Sequence, residues 1–185
     1  MNTRRHFLQN ASAVAIGFSG LRSFSVHAEK REKQMIPGYG ELQSDPKDVI
    51  DLPKGFSCRI IGRTGQTMDD GFTLPLSPDG MATFPGPDGL TLLVRNHEVN
   101  AGTGAKGGAF GSGHRRLTNE VRKNMYDPGK AAPALGGTST VVYDTKKQKV
   151  VRQFLSLAGT LRNCAGGPTP WNSWVTCEET VEKAG

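Results

Sequence analysis

The sequence has no run of 18 apolar residues anywhere in its 185 positions, so no membrane-spanning helix is expected. It has no Gly-x-x-x-x-Gly-Lys-Ser/Thr loop, which excludes a P-loop nucleotide site. Neither Cys-x-x-Cys nor His-Glu-x-x-His occurs, which leaves little support for zinc. No Gly-x-Ser-x-Gly elbow occurs either, so a serine nucleophile is not supported. Massed charge is also missing. The formal charge is +6, but three basic and no acidic residues fall in the first 28 positions, leaving 20 basic against 17 acidic in the rest. That balance fits a small anionic ligand and argues against nucleic acid. Cysteine is scarce and odd in number, three in all, so one thiol at least stays unpaired or is used chemically.

Glycine and proline are not scarce. There are 24 Gly and 11 Pro, turns are frequent, and no long amphipathic helix is expected after residue 28. An antiparallel all-β architecture, sandwich or propeller, follows.

Residues 1–28 read as an export segment. Arg4-Arg5 is followed by His6, Phe7 and Leu8, then by a modest apolar stretch from Ala11 to Leu21, and Val26-His27-Ala28 fits a small-residue cleavage site. This is a twin-arginine pattern, a route that carries folded proteins, often with a metal or cofactor loaded. Its partner would be the twin-arginine translocase, and the destination periplasmic or secreted. Residues 29–51 read as a polar lead-in, with order beginning near Leu52 and the main domain running over 52–185.

Phe56 to Arg63 has strand character, with Cys58 expected to be buried as a small hydrophobe. Gly71 to Met81 reads as a loop and Pro85 to Gly89 as a turn launching a buried strand from Leu90 to Val94. That strand runs into Arg95-Asn96-His97-Glu98, a cation, an amide, an imidazole and a carboxylate at a strand exit, where sites commonly sit. Residues 100–137 form a long Gly-rich excursion with a short helical turn from Asn119 to Met125. Thr138–Asp144 and Lys149–Leu155 read as a hairpin, and Ser173–Thr176 as one more strand.

The densest stretch is Asn163 to Glu179, reading NCAGGPTPWNSWVTCEE. Cys177 beside Glu178 and Glu179 offers a thiolate and two carboxylates, a donor set suited to a transition metal and a hard cation. In a strand, Cys177 and Glu178 point to opposite faces, so a shared centre requires a strand end or bend. A Cys164–Cys177 disulfide with solvated acids is an equally open use of the same residues, since export permits disulfides. Trp171 and Trp174 are expected to pack over the site and exclude water.

Taken in order, the export signal, Leu52-Pro53-Lys54-Gly55-Phe56, Arg95-Asn96-His97-Glu98, Gly136-Gly137-Thr138-Ser139-Thr140 and the Asn163–Glu179 stretch resemble the PhoX-type alkaline phosphatases. The last motif is the specific one. The resemblance implies a β-propeller with an iron (Fe3+) and calcium cluster and hydrolysis of phosphomonoesters. It implies that Cys177 is the iron-bridging thiolate, unpaired with Cys164. Glu178 and then Glu179 follow as ligands, and Glu98, His97 and Arg95 lie near the site. Family members are much longer, so the chain is expected to be an N-terminal part, a partial propeller that is inactive and poorly stable alone. The alternatives are a non-catalytic periplasmic propeller that binds a small ligand or partner, and a disulfide-stapled secreted β-domain.

Overall fold

The computed structural model describes residues 35–36 and 38–182, and the export segment lies outside them. The chain divides into two units, one ending at Arg59 and one beginning at Ile60. In the first, three short antiparallel strands, β1 (Met35–Ile36), β2 (Gly40–Gln43) and β3 (Leu52–Pro53), pair in that order, so ordered strands begin well before Leu52. Between β2 and β3 the Asp45 carboxylate accepts backbone N–H bonds from Lys47 and Val49, both at 3.0 Å. These bonds, that from Lys47 first, hold the Asp45 carboxyl below its ordinary range.

The strand expected over Phe56–Arg63 does not form, and Cys58 is exposed rather than buried. A β-prone run becomes a strand only where another strand offers it a ladder, and no sheet contains this run.

The second unit is built on a four-stranded antiparallel sheet of β4 (Pro78–Pro85), β5 (Thr91–His97), β6 (Gly136–Asp144) and β7 (Lys149–Thr160), hydrogen-bonded in that order. β6 and β7 are the expected hairpin, closed by the Asp144 carboxylate accepting the Lys147 N–H at 2.9 Å. β4 occupies part of the region read as loop and turn. Its prolines stand at its two ends, Pro78 and Pro85, and an irregularity between Pro78 and Met81 shifts its register, the positions where an edge strand tolerates such residues. β5 runs three residues past Val94, so Arg95, Asn96 and His97 lie inside the strand and Glu98 alone stands at its exit.

The excursion between β5 and β6 folds inward. Phe110, 1% exposed, packs with Val99, Met125, Leu135 and Ala158, and its ring meets Phe72 edge-on at 6.1 Å. Burying that one ring stabilises the loop by about 2–3 kcal/mol. A five-residue helix, α1 (Asn119–Lys123), starts at Thr118, whose Oγ1 accepts the Val121 N–H at 3.2 Å.

Among the described residues, the outer edge of β7 has no further strand. The Asp69 and Asp70 carboxylates accept the N–H groups of Gln153 and Leu155 at 2.6 and 2.7 Å. Farther along, Tyr126 and Asp127 donate to the carbonyls of Ala158 and Gly159 at 2.9 and 3.0 Å. Gly159 has φ +91, and a Cβ there would lie 2.7 Å from the Asp127 nitrogen, so glycine is required.

A two-stranded antiparallel ribbon completes the unit: β8 (Asn163–Pro168) and β9 (Trp174–Glu178). β8 includes Gly166, Gly167 and Pro168, residue types that carry no strand signal of their own. Among the described residues the strands form three separate antiparallel sheets without a closed ring, and no helix is long and apolar enough to cross a membrane.

Candidate functional site

The buried end of β5 is a polar network. His97 is fully buried. Its Nδ1 lies 3.1 Å from the Leu76 carbonyl, which only accepts, so the neutral ring carries its proton on Nδ1. Nε2 therefore accepts from the Ser139 hydroxyl at 2.8 Å, and the same Ser139 oxygen accepts from Arg95 Nε at 2.9 Å. Arg95 Nη2 donates to Gln153 Oε1 at 3.0 Å. Burial pushes the His97 pKa down to about 4, helped by the neighbouring Arg95 charge and opposed by the Leu76 carbonyl. Burial also lowers Arg95. The Ser139–His97 pair has the atoms of a nucleophile and base, but both side chains are 0% exposed, so no substrate reaches them. Arg95 and His97 hold the sheet that carries the site.

Asn96 performs a different task. Its Nδ2 donates to the carbonyls of Cys164 and Ala165 at 3.0 and 2.9 Å, and its Oδ1 accepts the Trp174 indole N–H at 2.9 Å. One buried amide thereby grips both strands of the β8–β9 ribbon. A second, Asn163, donates to the Gly137 carbonyl at 2.6 Å and to Thr176 Oγ1 at 3.2 Å, and accepts from Thr160 Oγ1 at 2.8 Å. Trp174 is half-buried with its ring against Gly166 of the ribbon, whereas Trp171 is 75% exposed. Gly80 lets the ribbon approach, since a Cβ there would stand 2.5 Å from the Cys164 carbonyl oxygen.

These anchors bring the exits of β5 and β9 to the turn between β7 and β8. There the Leu161 N–H donates to Glu178 Oε1 at 2.7 Å. Arg162 Nη2 donates to Glu179 Oε2 at 3.1 Å, and its Nε lies 3.6 Å from Glu98 Oε1. The backbone repeats the pattern: Arg162 N–H donates to the Val99 carbonyl and the Glu179 N–H donates to the Arg162 carbonyl. Arg162 holds φ +49, a conformation that costs a non-glycine residue about 1 kcal/mol or more. Three glutamates from two strand exits thus meet one two-residue turn, with Arg162 as the counter-ion of Glu98 and Glu179. Nothing in sequence singled out Arg162, a lone arginine at an unmarked turn.

Cys177 is exposed and free, as are Cys58 and, half-buried, Cys164. Alternation along β9 sends Cys177 to the face opposite Glu178. A thiolate and carboxylates fit iron and calcium in kind, and Cys177 is accessible to a metal. Glu178 and Glu179 would have to exchange their present partners. Among the described residues no three His, Cys, Asp or Glu side chains converge on one point.

No curated protein and no solved structure matches the chain. The model of a family described as Alkaline phosphatase PhoX matches residues 37–153 and 142–185, and so takes in the buried β5 network, the glutamate turn and the ribbon that carries Cys177. The chain belongs to the alkaline phosphatase PhoX family.

Proposed function

We propose that this protein is an exported, metal-dependent phosphomonoesterase whose metal site includes Cys177, with Glu178 and Glu179 as further donors. The family match across residues 37–185 carries the reading. The contacts of Glu98, Glu178 and Glu179 with the Leu161-Arg162 turn, and a free, accessible thiol on the other face of β9, supply the donor types that this reading needs.

Iron and calcium, when bound, would supply Lewis acidity toward the phosphoryl oxygens. The chain's own residues do the arranging. Asn96 and Asn163 fix the ribbon that presents Cys177. Arg162 neutralises Glu98 and Glu179 and keeps them side by side at the protein surface. The buried Arg95–Ser139–His97 network keeps β5 straight up to Glu98. In the same reading, the antiparallel sheets are early blades of a propeller, residues 1–28 direct the folded protein through the twin-arginine translocase, and the protein works in the periplasm or outside the cell.

Metal analysis of the purified full-length gene product tests this, paired with hydrolysis of p-nitrophenyl phosphate. Cys177→Ala is expected to lose bound iron and activity together. Iron retained at the wild-type level in Cys177→Ala would remove Cys177 from the site. Wild-type protein that binds iron yet hydrolyses no phosphomonoester would favour a ligand-binding role.

A further inference from the structure

Between α1 and the outer edge of β7 lies an open pocket of about 300 Å³, at the small end of ligand sites. Its floor is the rim of the Phe110 core, with Phe72, Val121, Met125 and Leu155 contributing apolar surface. The polar groups around that floor are acceptors. In an antiparallel strand the N–H and C=O of one residue point to the same side. Leu155 sends its N–H outward to Asp70 at 2.7 Å, so its carbonyl also faces the outer edge. On the α1 wall Glu120 is the one charged side chain that lines the pocket. Asn124 Nδ2 donates to the Glu120 carbonyl at 2.9 Å, which leaves the Asn124 amide oxygen to accept. Ser156 has no donor to spare, because its hydroxyl donates to the Thr138 carbonyl at 3.2 Å and accepts from Thr140 Oγ1 at 2.8 Å. Lys123 meets Glu120 Oε2 at 3.4 Å, but both side chains are exposed and such a pair is weak.

We propose that this pocket binds a protonated primary amine on a small apolar body, an alkyl- or arylalkylammonium. An ammonium carries three donors and no acceptor, the complement of a carboxylate, an amide oxygen and a strand-edge carbonyl. The apolar body lies on Phe72 and Met125 and removes that floor from water. An anionic ligand of the same shape meets Glu120 as a like charge and is turned away. The pocket shares no residue with the Leu161-Arg162 turn or the ribbon, so the assignment is independent of the phosphatase reading.

The test uses the full-length gene product, isotope-labelled at its methionine methyls, with Met125→Leu identifying the Met125 signal. Phenethylamine, phenethyl alcohol and phenylpropionate are titrated at neutral pH as cationic, neutral and anionic probes of one shape. The amine is expected to shift Met125 saturably and to bind more tightly than the alcohol, with the carboxylate weakest. Glu120→Gln changes an exposed side chain and leaves the fold intact. It is expected to weaken the amine about fivefold and to leave the alcohol unchanged. A Met125 signal that the amine does not move would overturn the site. An alcohol that binds as tightly as the amine, or amine binding unaltered by Glu120→Gln, would overturn the ammonium assignment.

Discussion

At the scale of single residues, His97 makes the clearest claim. Its folded pKa of about 4 lies below the ordinary value of 6.5. The unfolded chain therefore binds the proton first on acidification. The stability this contributes is fully present above pH 6.5 and is lost as pH falls toward 4, by roughly 3 kcal/mol in total. Urea unfolding followed across that window should show the midpoint dropping in wild type, with a shallower drop in His97→Gln. Arg162 makes a second claim, since it combines a clamp with a strained backbone. Arg162→Met keeps the strain and loses the clamp, and should destabilise by about 1 kcal/mol, because the ion pairs are partly solvated. Arg162→Gly loses the clamp but relieves φ, and should melt at or above Arg162→Met. Thermal melts of the three proteins separate the two effects.

At the scale of elements, the ribbon depends on contacts that no local pattern announces. Gly80→Ala would drive a Cβ against the Cys164 carbonyl, a backbone atom that yields only if the ribbon moves. The expected cost is about 1–3 kcal/mol, with a shift in the emission of Trp174 as its bond to Asn96 lengthens. An unchanged melting temperature and spectrum would show that the ribbon docks elsewhere. This is also where sequence reading reached its limit. β5, β6 and β7 are legible from their Val, Leu and Thr runs and the charged turn at Asp144, which are local signals. β8 is not, since Gly166, Gly167 and Pro168 carry loop character and the strand exists because Asn96 and Asn163 hold it. Phe56–Arg63 fails in the opposite sense, a good strand composition without a partner. Within the site, Cys177 and the glutamates were visible as reactive groups. Arg162 was not, because its role arises only when two distant strand exits meet at its turn.

At the scale of the whole molecule, the second unit places the candidate site at one end of a sheet. Phe110 and its neighbours form a core beneath the long β5–β6 connection. The polar Arg95–Ser139–His97 network lies within the sheet, and the glutamates collect where β5 and β9 end. A strand edge that meets no further strand, like that of β7 among the described residues, invites another chain to add one. Asp69 and Asp70 meet it with carboxylates that accept the Gln153 and Leu155 N–H groups, and the Asp69 N–H donates to the Gln153 carbonyl at 3.0 Å. Substituting both by alanine should leave those two N–H groups open and raise the rate of concentration-dependent aggregation, read by light scattering at constant pH; an unchanged rate would mean the edge is closed by other means. The pair would thus serve as a solubility guard, sparing the protein from polymerising with its own copies.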